Sequence, residues 1–353
     1  MRSSNINIDI LIIGGGITGS STAILLQRKG YSTVIIEKTD LHKFKVGESL
    51  SPECKYYLDW LDVKLSTEER IEFSESHSRW GEHTIRTSEF IYNPYGNSIA
   101  VNRNGLEDKL IKTAYSNGSI TELQSIIKEI KFDNNRWKII VETFNDRKMY
   151  TSKFLVIACG RNPFLKIDNT KRKYYDRLVA VTLIIDNETK EKRILYVESL
   201  PEGWIYSNQI PGNNTIVSFF TDSDLLPKAK FVEQFMSGKI PTINNPISTN
   251  YKIYTSDART RWIANQSGLS WLRIGDAAYT IDPLSGKGIL KNFEMIAFCV
   301  ENIKDFIDNS NRIYTRYHEH NCKNFITFMQ QRKLVFRREQ RWFDYPFWKR
   351  RLS

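Results

Sequence analysis

Residues 6–19 read INIDILIIGGGITG, an apolar run that ends in three glycines and leads into a helical pattern. The β-rich run Ile6–Ile13 predicts a strand, residues 18–29 have helical periodicity, and Ser32–Glu37 predicts a second strand. Because Asp9 and the glycines interrupt the apolar run, we expect a strand here and not a signal peptide. The segment therefore predicts a strand–turn–helix–strand unit, typical of an α/β domain.

The glycines of this turn follow the spacing G-x-G-x-x-G. The first permits a tight turn, the second lets a pyrophosphate approach the backbone, and the third lets the helix pack on the strand. A pyrophosphate would then lie at the helix N-terminus, where backbone amides and the helix dipole favour negative charge. Glu37 ends the second strand and is placed to bind ribose hydroxyls. The sequence thus predicts a dinucleotide site that comprises Gly14, Gly16, Thr18, Gly19, Glu37 and Lys38.

A second loop, GDAAYTIDPLSGKGI at residues 275–289, is too rich in glycine and charge for a core and runs into the helical pattern LKNFEMIAFCVENI. A nicotinamide enzyme rarely needs a second nucleotide-facing loop. In FAD-binding folds of the hydroxylase type, a Gly-Asp pair contacts the ribityl chain or pyrophosphate. The next helix N-terminus places amides beside the flavin ring and stabilises its negative charge when reduced. The loop therefore favours FAD, bound by Gly275, Asp276, Ser285, Gly286, Gly288 and Ile289.

The chain has 353 residues, of which 41% are hydrophobic, enough for one large or two interleaved domains. No apolar run reaches the roughly 18 residues that a membrane span needs, so we expect none. The cysteines are far apart, without a Cys-x-x-Cys pair or a histidine partner, and this spacing predicts neither a metal site nor disulfides. It favours a reducing, cytoplasmic setting. The cysteines are Cys54, Cys159, Cys299 and Cys322.

The two ends of the chain have α/β patterns, and the middle is rich in short β-branched and aromatic runs. We therefore predict an α/β fold with a Rossmann-like FAD-binding domain and an inserted, mainly antiparallel β-sheet substrate domain. The predicted FAD-binding domain comprises residues 1–83, 101–170 and 255–331, and the substrate domain comprises 84–100 and 171–254. Residues 332–353 form a basic, aromatic C-terminal segment.

This C-terminal segment carries much of the net charge of +11, since eight Lys or Arg residues and two acids lie between Arg332 and Arg351. Six aromatic residues are interleaved with the charges. One interpretation is a docking surface for an acidic macromolecule, anchored by the aromatic side chains. The alternatives are a solvated basic helix, or a helix that packs back on the FAD domain. Nucleic acid is not an expected partner, because no nucleic-acid-binding module is recognised. The proposed anchors are Trp342, Phe343, Tyr345, Phe347 and Trp348.

Several of these motifs together resemble the flavin-dependent monooxygenase and halogenase superfamily, which has the aromatic-hydroxylase fold. The glycine turn with Glu37 matches its nucleotide fingerprint, and the loop at 275–289 matches its flavin loop. Residues 46–49, VGES, are similar to the VGE[AS] segment that passes beside the flavin. Arg103, in VNRNGLEDKL, looks like the arginine that begins the helix near the pyrophosphate. The resemblance implies that Gly47, Glu48, Ser49 and Arg103 also contact FAD.

Finer matches resemble flavoproteins that hydroxylate a tryptophan of a partner protein while quinone-type amine oxidases and dehydrogenases mature. They are GWIYS at Gly203–Ser207, IPGNNTIVSFFTDSD at 210–224, the DPLSG loop and the aromatic tail. The resemblance implies non-covalent FAD, O2, and a polypeptide substrate or precursor protein that is hydroxylated through a flavin C4a-hydroperoxide. Cys159 stands where classical hydroxylases have the aspartate of an Asp-Gly motif. We therefore expect electrons from transiently bound NAD(P)H or from a separate flavin reductase.

Other activities stay open at this point. Halogenases carry a WxWxIP motif and a catalytic lysine, whereas here Tyr206 follows Trp204 and residues 72–80 contain no lysine. A flavin-dependent halogenase of a small aromatic compound is the first alternative. A flavin-dependent isoprenoid reductase and a flavin-binding protein without catalysis are the others. His77 is a candidate proton donor and Tyr206 a candidate catalytic residue of the aromatic cavity, although each could be purely structural.

Overall fold

The computed structural model describes residues 5–41, 45, 49–144, 146–161, 167, 170–186, 193–226 and 251–352. Helices pack on one face of a large sheet, and the C-terminal helices pack on a second sheet. None of the helices among these residues is long and apolar enough to cross a membrane. The helices are α1 (Ile17–Arg28), α2 (Cys54–Trp60), α3 (Arg103–Ser116), α4 (Gly288–Glu301), α5 (Ile303–Ile307), α6 (Asn311–Arg337) and α7 (Pro346–Leu352).

The first sheet has eight strands and begins with the predicted strand–turn–helix–strand unit. Its parallel centre has the order β20-β11-β1-β2-β8, flanked by β19 and by the antiparallel pair β10 and β9. Apolar side chains of its centre are fully buried: those of one face pack with helices, and those of the other face pack with side chains of β9 and β10. Its strands are β1 (Asn5–Ile13), β2 (Thr33–Ile36), β8 (Ile120–Glu122), β9 (Ile126–Asp133), β10 (Arg136–Glu142), β11 (Arg147–Ile157), β19 (Ser267–Gly268) and β20 (Trp271–Arg273).

The second sheet has seven strands in the order β17-β13-β16-β15-β14-β5-β6, antiparallel except between β14 and β5. Strand β5 joins it although it precedes residue 84, where the predicted substrate-domain segment begins. The predicted domain boundaries stay a prediction. The strands are β5 (Glu75–Arg79), β6 (Arg86–Glu89), β13 (Leu178–Asp186), β14 (Leu195–Leu200), β15 (Gly203–Ile210), β16 (Asn214–Asp222) and β17 (Tyr251–Asp257).

Two small antiparallel sheets lie between the large ones. One has the order β3-β7-β4, and the other has the order β12-β18-β21. The α/β fold with a Rossmann-like domain and an antiparallel second sheet is confirmed. The small sheets are formed by β3 (Ser49–Leu50), β4 (Arg70–Phe73), β7 (Ser98–Val101), β12 (Arg172–Tyr174), β18 (Arg261–Ile263) and β21 (Tyr279–Thr280).

The C-terminal segment packs on the second sheet. Phe347 and Trp348 are fully buried, and the indole Nε1 of Trp348 donates a hydrogen bond to the carbonyl of Leu200 at 2.8 Å. Trp348 also contacts Trp80 edge to face. The proposal that Phe347 and Trp348 are surface anchors is therefore wrong. Burial of these large aromatic side chains inside the protein is more favourable than their exposure to solvent. Phe343 and Tyr345 do stay exposed.

Candidate functional site

The glycine turn after β1 shows why two of its glycines are required by the protein itself. Gly14 has φ +106°, and a Cβ atom there would lie 2.5 Å from the carbonyl oxygen of Ala158. A Cβ atom at Gly19 would lie 1.8 Å from the carbonyl oxygen of Gly14. Both distances are far below van der Waals contact, so these glycines let α1 pack against the strand turn.

Gly16 is different, because among the described residues no atom lies too close to allow a side chain there. The nearest atom to a Cβ built on it is Oε1 of Glu107, at an ordinary 3.5 Å. It is the N-cap of α1, which has no side-chain cap and no acidic residue in its first turn. The uncapped amides at Gly16 and the start of α1 form a cradle that fits a phosphate group.

Glu37 directly follows β2, as predicted, but its carboxylate already makes hydrogen bonds to the protein. Oε2 accepts from the backbone N–H of Gly15 at 2.8 Å. Oε1 accepts from the N–H of Thr39 at 2.9 Å and from its hydroxyl at 2.8 Å. Glu37 thus braces the glycine turn, whereas the neighbouring Lys38 is exposed. A ribose contact of either residue stays a prediction.

Arg103 begins α3 and lines a cavity described below, next to the glycine turn. Its Nε donates to Oε1 of Glu107 at 2.9 Å, and the buried Glu107 also pairs with Lys45. Ser49, in β3, lines the same cavity. The predicted contacts Gly47 and Glu48 lie outside the described residues.

The second loop rests directly on the first turn of α1. Gly275 has φ +65°, and a Cβ atom there would lie 2.7 Å from Oγ1 of Thr18. The two predicted cofactor segments therefore meet at this contact, although they are more than 250 residues apart in sequence. Only glycine permits so close an approach with this backbone conformation.

Asp276 is held between two cations that the sequence analysis missed. Its Oδ1 lies 2.8 Å from Nζ of Lys291, and its Oδ2 lies 3.5 Å from Nε of Arg161. Burial raises the pKa of Asp276, but the two cations outweigh this effect and hold the pKa at about 2. Lys291 lies one turn into α4. In the sequence, its short spacing from the loop is the only signal that it could pair with Asp276. Asp276 is thus ionised, and its two ion pairs hold its side chain in one position.

Beyond Asp276, the chain makes a 3₁₀ turn at Pro283–Ser285 and enters α4. Gly286 has φ +62°, and Cβ atoms built on Gly286 or Gly288 would meet nothing within 4 Å. Residues 285–289 all line the cavity, and α4 begins without a side-chain cap. The amides of Ser285, Gly286 and Lys287 donate hydrogen bonds within the loop, so it is the uncapped N-terminus of α4 that faces this open space.

The side chain of Asn292, also on α4, is further evidence that a ligand binds in this space. Its Oδ1 is buried and has no hydrogen-bond partner among the described residues. It lines the cavity and lies near Gly275, since a Cβ atom on that glycine would be 3.2 Å from Oδ1. Buried acceptors are nearly always satisfied in native proteins. An unsatisfied acceptor beside two uncapped helix N-termini therefore fits a bound group that carries hydroxyls and phosphates, as FAD does.

The cavity has a volume of about 470 Å³ and separates this loop from the second sheet. Across from the loop, its wall is aromatic and apolar. Trp204 stacks on Phe220 with ring centroids 3.9 Å apart, and Ala180 and Tyr206 line the same wall. The Nε1 of Trp204 is buried without an acceptor among the described residues. A flat aromatic guest fits between this wall and the loop.

His77 does not line the cavity. In β5, Ser76 lines the cavity, and successive side chains of a strand point to opposite faces. His77 is in register with Tyr196, which packs on the other face of the sheet with Ile205. Its Nε2 lies 3.4 Å from the Glu75 carboxylate. Of the two predicted catalytic residues, only Tyr206 lines the cavity.

Comparisons with known proteins agree with this site. The family of FAD-dependent oxidoreductases matches residues 9–88, which include the glycine turn and Glu37. LodB of Marinomonas mediterranea, described as an FAD-dependent oxidoreductase, is 23% identical over 97% of this chain and 96% of its own.

Two solved structures extend the comparison to the whole fold. The myxobacterial chondrochloren halogenase CndH has a TM-score of 0.86 with 17% identity, covering 98% of this chain and 86% of its own. The peptidyl tryptophan dihydroxylase QhpG, which is essential for tryptophylquinone cofactor biogenesis, has a TM-score of 0.78 with 19% identity, covering 98% and 79%. At these identities the two structures share the fold with this chain, and one acts as a halogenase while the other is a hydroxylase.

Proposed function

We propose that this chain is a flavin-dependent monooxygenase that hydroxylates an aromatic side chain, that of tryptophan, in a partner polypeptide. The observation that carries the proposal is the cavity of about 470 Å³, with an aromatic wall on one side and residues 285–289, which lead into the N-terminus of α4, on the other. Such a site holds a planar ring against a cofactor and keeps water away.

Several residues would hold non-covalent FAD. The amides at Gly16 and the N-terminus of α1 fit its pyrophosphate, while Asp276 and the unsatisfied Oδ1 of Asn292 fit its hydroxyls. The uncapped N-terminus of α4 fits the negatively charged side of its ring. Reduced FAD supplies the electrons that activate O2, so that one oxygen atom enters an electron-rich ring and the other leaves as water.

The second sheet would bind and orient the substrate ring. Trp204 and Phe220 are locked by stacking and offer a rigid apolar surface. The indole N–H of Trp204 donates to an acceptor on the substrate, which completes a hydrogen bond that the protein leaves unmade. Tyr206 Oη, on the same wall, delivers a proton to the oxygen atom that leaves as water.

A polypeptide substrate suits the mouth of the cavity. Phe90 and Asn93 line the cavity, and the residues between them, Ile91 and Tyr92, are 74% and 92% exposed. Exposed apolar side chains beside a site are typical of contact with another protein. QhpG is a peptidyl tryptophan dihydroxylase, which agrees with this substrate class. Electrons come from transiently bound NAD(P)H or from a separate flavin reductase.

Halogenation of a small aromatic compound is the second candidate, and one observation favours it. Lys287 lines the cavity, and no other lysine does among the described residues. Halogenases need a lysine to handle hypohalous acid, and CndH has the same fold. However, Lys287 is exposed and lies on the cofactor loop, whereas the strand that contains Ser76 has no lysine. Hydroxylation needs only an electron-rich ring, which the substrate brings, and a proton donor, for which Tyr206 lines the cavity.

The test supplies the FAD-loaded protein with a flavin reductase, NADH, ¹⁸O2 and bromide, together with the candidate polypeptide. Mass spectrometry of the products is expected to find ¹⁸O in a tryptophan side chain and no bromine. The Lys287→Met variant is expected to keep this activity. Brominated product without ¹⁸O incorporation, and its loss in Lys287→Met, would overturn the proposal in favour of the halogenase.

A further inference from the structure

Arg332, in α6, joins the two walls of the cavity. Its Nε donates to Oδ2 of Asp282 at 2.9 Å, and its Nη2 donates to Oδ2 of Asp176 at 2.9 Å. The side chains of Arg332, Asp176 and Asp282 are only 10%, 5% and 1% exposed. The three groups therefore form a buried ion-pair network in which one guanidinium serves two carboxylates.

Asp282 holds the cofactor loop. Its Oδ1 accepts a hydrogen bond from the N–H of Leu284 at 3.0 Å, which caps the 3₁₀ turn at Pro283–Ser285. The hydroxyl of Ser285 donates to the Asp282 carbonyl at 3.2 Å. The turn leads directly into residues 285–289, whose amides line the cavity. The position of Asp282 therefore sets the position of these amides.

Asp176 holds the opposite wall. Its Oδ1 accepts from the N–H of Leu178, the first residue of β13, at 3.2 Å, and from the N–H of Thr260 at 3.1 Å. Strand β13 contributes Ala180 to the cavity wall. Arg332 thus connects the strand that carries one wall to the turn that carries the other, although Asp176 and Asp282 are 106 positions apart.

Electrostatics makes the bridge specific for a guanidinium. Burial raises the pKa of Asp176, and the Asp282 carboxylate adds to this effect while Arg332 opposes it. Without a cation between them, two buried carboxylates must separate or take up a proton. A guanidinium donates to both from a planar fork, whereas an ammonium group is a point charge that cannot reproduce this geometry.

We propose that Arg332 is a positioning residue, which fixes the loop amides of residues 285–289 relative to the substrate wall and so aligns them with the flavin ring. The proposal rests on the proposed function, since it takes the loop to face bound FAD. Arg332 does not touch the cavity itself, and it acts through Asp282.

Arg350 provides a matched control. It also bridges two carboxylates, with Nη1 2.9 Å from Asp222 and Nη2 2.7 Å from Asp224. Neither aspartate lines the cavity or contacts the cofactor loop. An Arg350→Lys variant therefore tests the loss of a bridging arginine in the same part of the protein without a change at the loop.

The first measurement is hydrogen exchange of the purified protein without added cofactor. In Arg332→Lys, amides of residues 284–289 are expected to exchange about tenfold faster, since the loop opens locally, and in Arg350→Lys their rates stay unchanged. Because Arg332→Lys could fold poorly, Asp176→Asn is a second variant. It removes one arm of the bridge and is expected to give a smaller acceleration in the same peptide.

The second measurement is sulfite binding to the FAD-loaded protein, followed by loss of the flavin absorbance. Sulfite adds to oxidised flavin and leaves negative charge on the ring, so its affinity reports the alignment of the loop amides. We expect Arg332→Lys to keep one FAD per chain and to weaken sulfite binding about tenfold, as the helix terminus and amides lose alignment. Arg350→Lys is expected to bind sulfite as the parent does.

The outcomes separate the two proposals. If loop exchange and sulfite affinity in Arg332→Lys equal those of the parent protein, the positioning role is refuted while FAD binding stands. If the parent protein binds no FAD, the proposed function fails, and the exchange measurement still decides whether Arg332 orders the loop.

Discussion

Gly16 differs from its neighbours in the turn. The fold would accept a side chain at this position, whereas a bound phosphate group would not. A Cβ atom there would be 3.5 Å from Glu107, so Gly16→Ala is expected to fold normally. The added methyl group occupies the space above the α1 amides and is expected to weaken FAD binding about tenfold to hundredfold, the steric cost of overpacking. The measurement is the FAD content after gel filtration, with the midpoint of thermal unfolding as a check on folding.

Gly105 is the matched control for this substitution. It lies inside α3, and the nearest atom to a Cβ built there is 3.9 Å away. Gly105→Ala, in the first turn of the helix, is expected to change stability by less than about 0.5–1 kcal/mol and to leave FAD content unchanged. Full FAD occupancy in Gly16→Ala would refute the phosphate cradle.

The ion pair of Asp276 and Lys291 gives a prediction about stability. Lys291 is buried, and burial lowers its pKa, while Asp276 favours its charged form. Asp276→Asn leaves the ammonium group without its closest counterion and is expected to cost about 3 kcal/mol in the free energy of unfolding. The double variant Asp276→Asn/Lys291→Met is expected to recover much of this loss. Urea unfolding measures both; equal stability of the single and double variants would contradict the prediction.

The same pair predicts a pH dependence. The pKa of Asp276 is lowered from 3.8 to about 2 in the folded protein. A carboxylate with a lowered pKa stabilises the fold fully above its unfolded pKa, and this contribution falls as the pH drops towards the folded value. Between about pH 4 and pH 2, stability of the parent protein is therefore expected to fall more steeply than that of the double variant. Parallel slopes in acid titrations monitored by fluorescence would argue against it.

Among the candidate catalytic residues, strand geometry separates Tyr206 from His77. Tyr206 lines the cavity, so Tyr206→Phe is expected to slow hydroxylation about a hundredfold without loss of FAD, which is the lower range for general acid catalysis. His77 faces the other side of the sheet, so His77→Ala is expected to stay within about twofold of the parent rate. Single-turnover rates under excess reductant measure both. A larger effect at His77 than at Tyr206 would reverse the assignment.

At the scale of elements, α7 is a structural cap that packs on the second sheet. Trp348 is fully buried against Trp80 and Phe336, whereas Phe343 is 53% exposed. Trp348→Ala is expected to destabilise the protein by about 4 kcal/mol, as for other buried aromatic residues. Phe343→Ala is expected to change stability by less than about 0.5 kcal/mol. Guanidinium unfolding compares them, and similar values for both would contradict the cap.

Elements of the first domain could be predicted well from sequence because their signals are local. The turn at Gly14–Gly19 follows from spacing within one strand and one helix, and Glu37 follows at the end of the next strand. In contrast, the face on which His77 lies depends on its register with Tyr196, which is 119 residues further on. A shift of one residue would reverse that face, and no local pattern fixes it.

At the scale of the whole molecule, the cavity exists only because two sheets meet. The sheet wall comes from β13, β15 and β16, and the cofactor wall comes from the loop before α4. Arg332 holds both walls from a third element, α6. Activity and loop order should therefore respond together to changes in this bridge, although α6 contributes no residue to the cavity.

The sequence by itself determined the glycine turn, the loop at residues 275–289 and the α/β fold with a second, antiparallel sheet. Each depends on residues close together in the chain, whose glycine spacing and periodicity have one structural solution. Only the tertiary structure decided that Lys291 and Arg161 pair with Asp276, that Trp348 is buried, and that His77 points away from the cavity. These outcomes depend on contacts between distant segments, which arise from packing and strand register and leave no local pattern in the sequence.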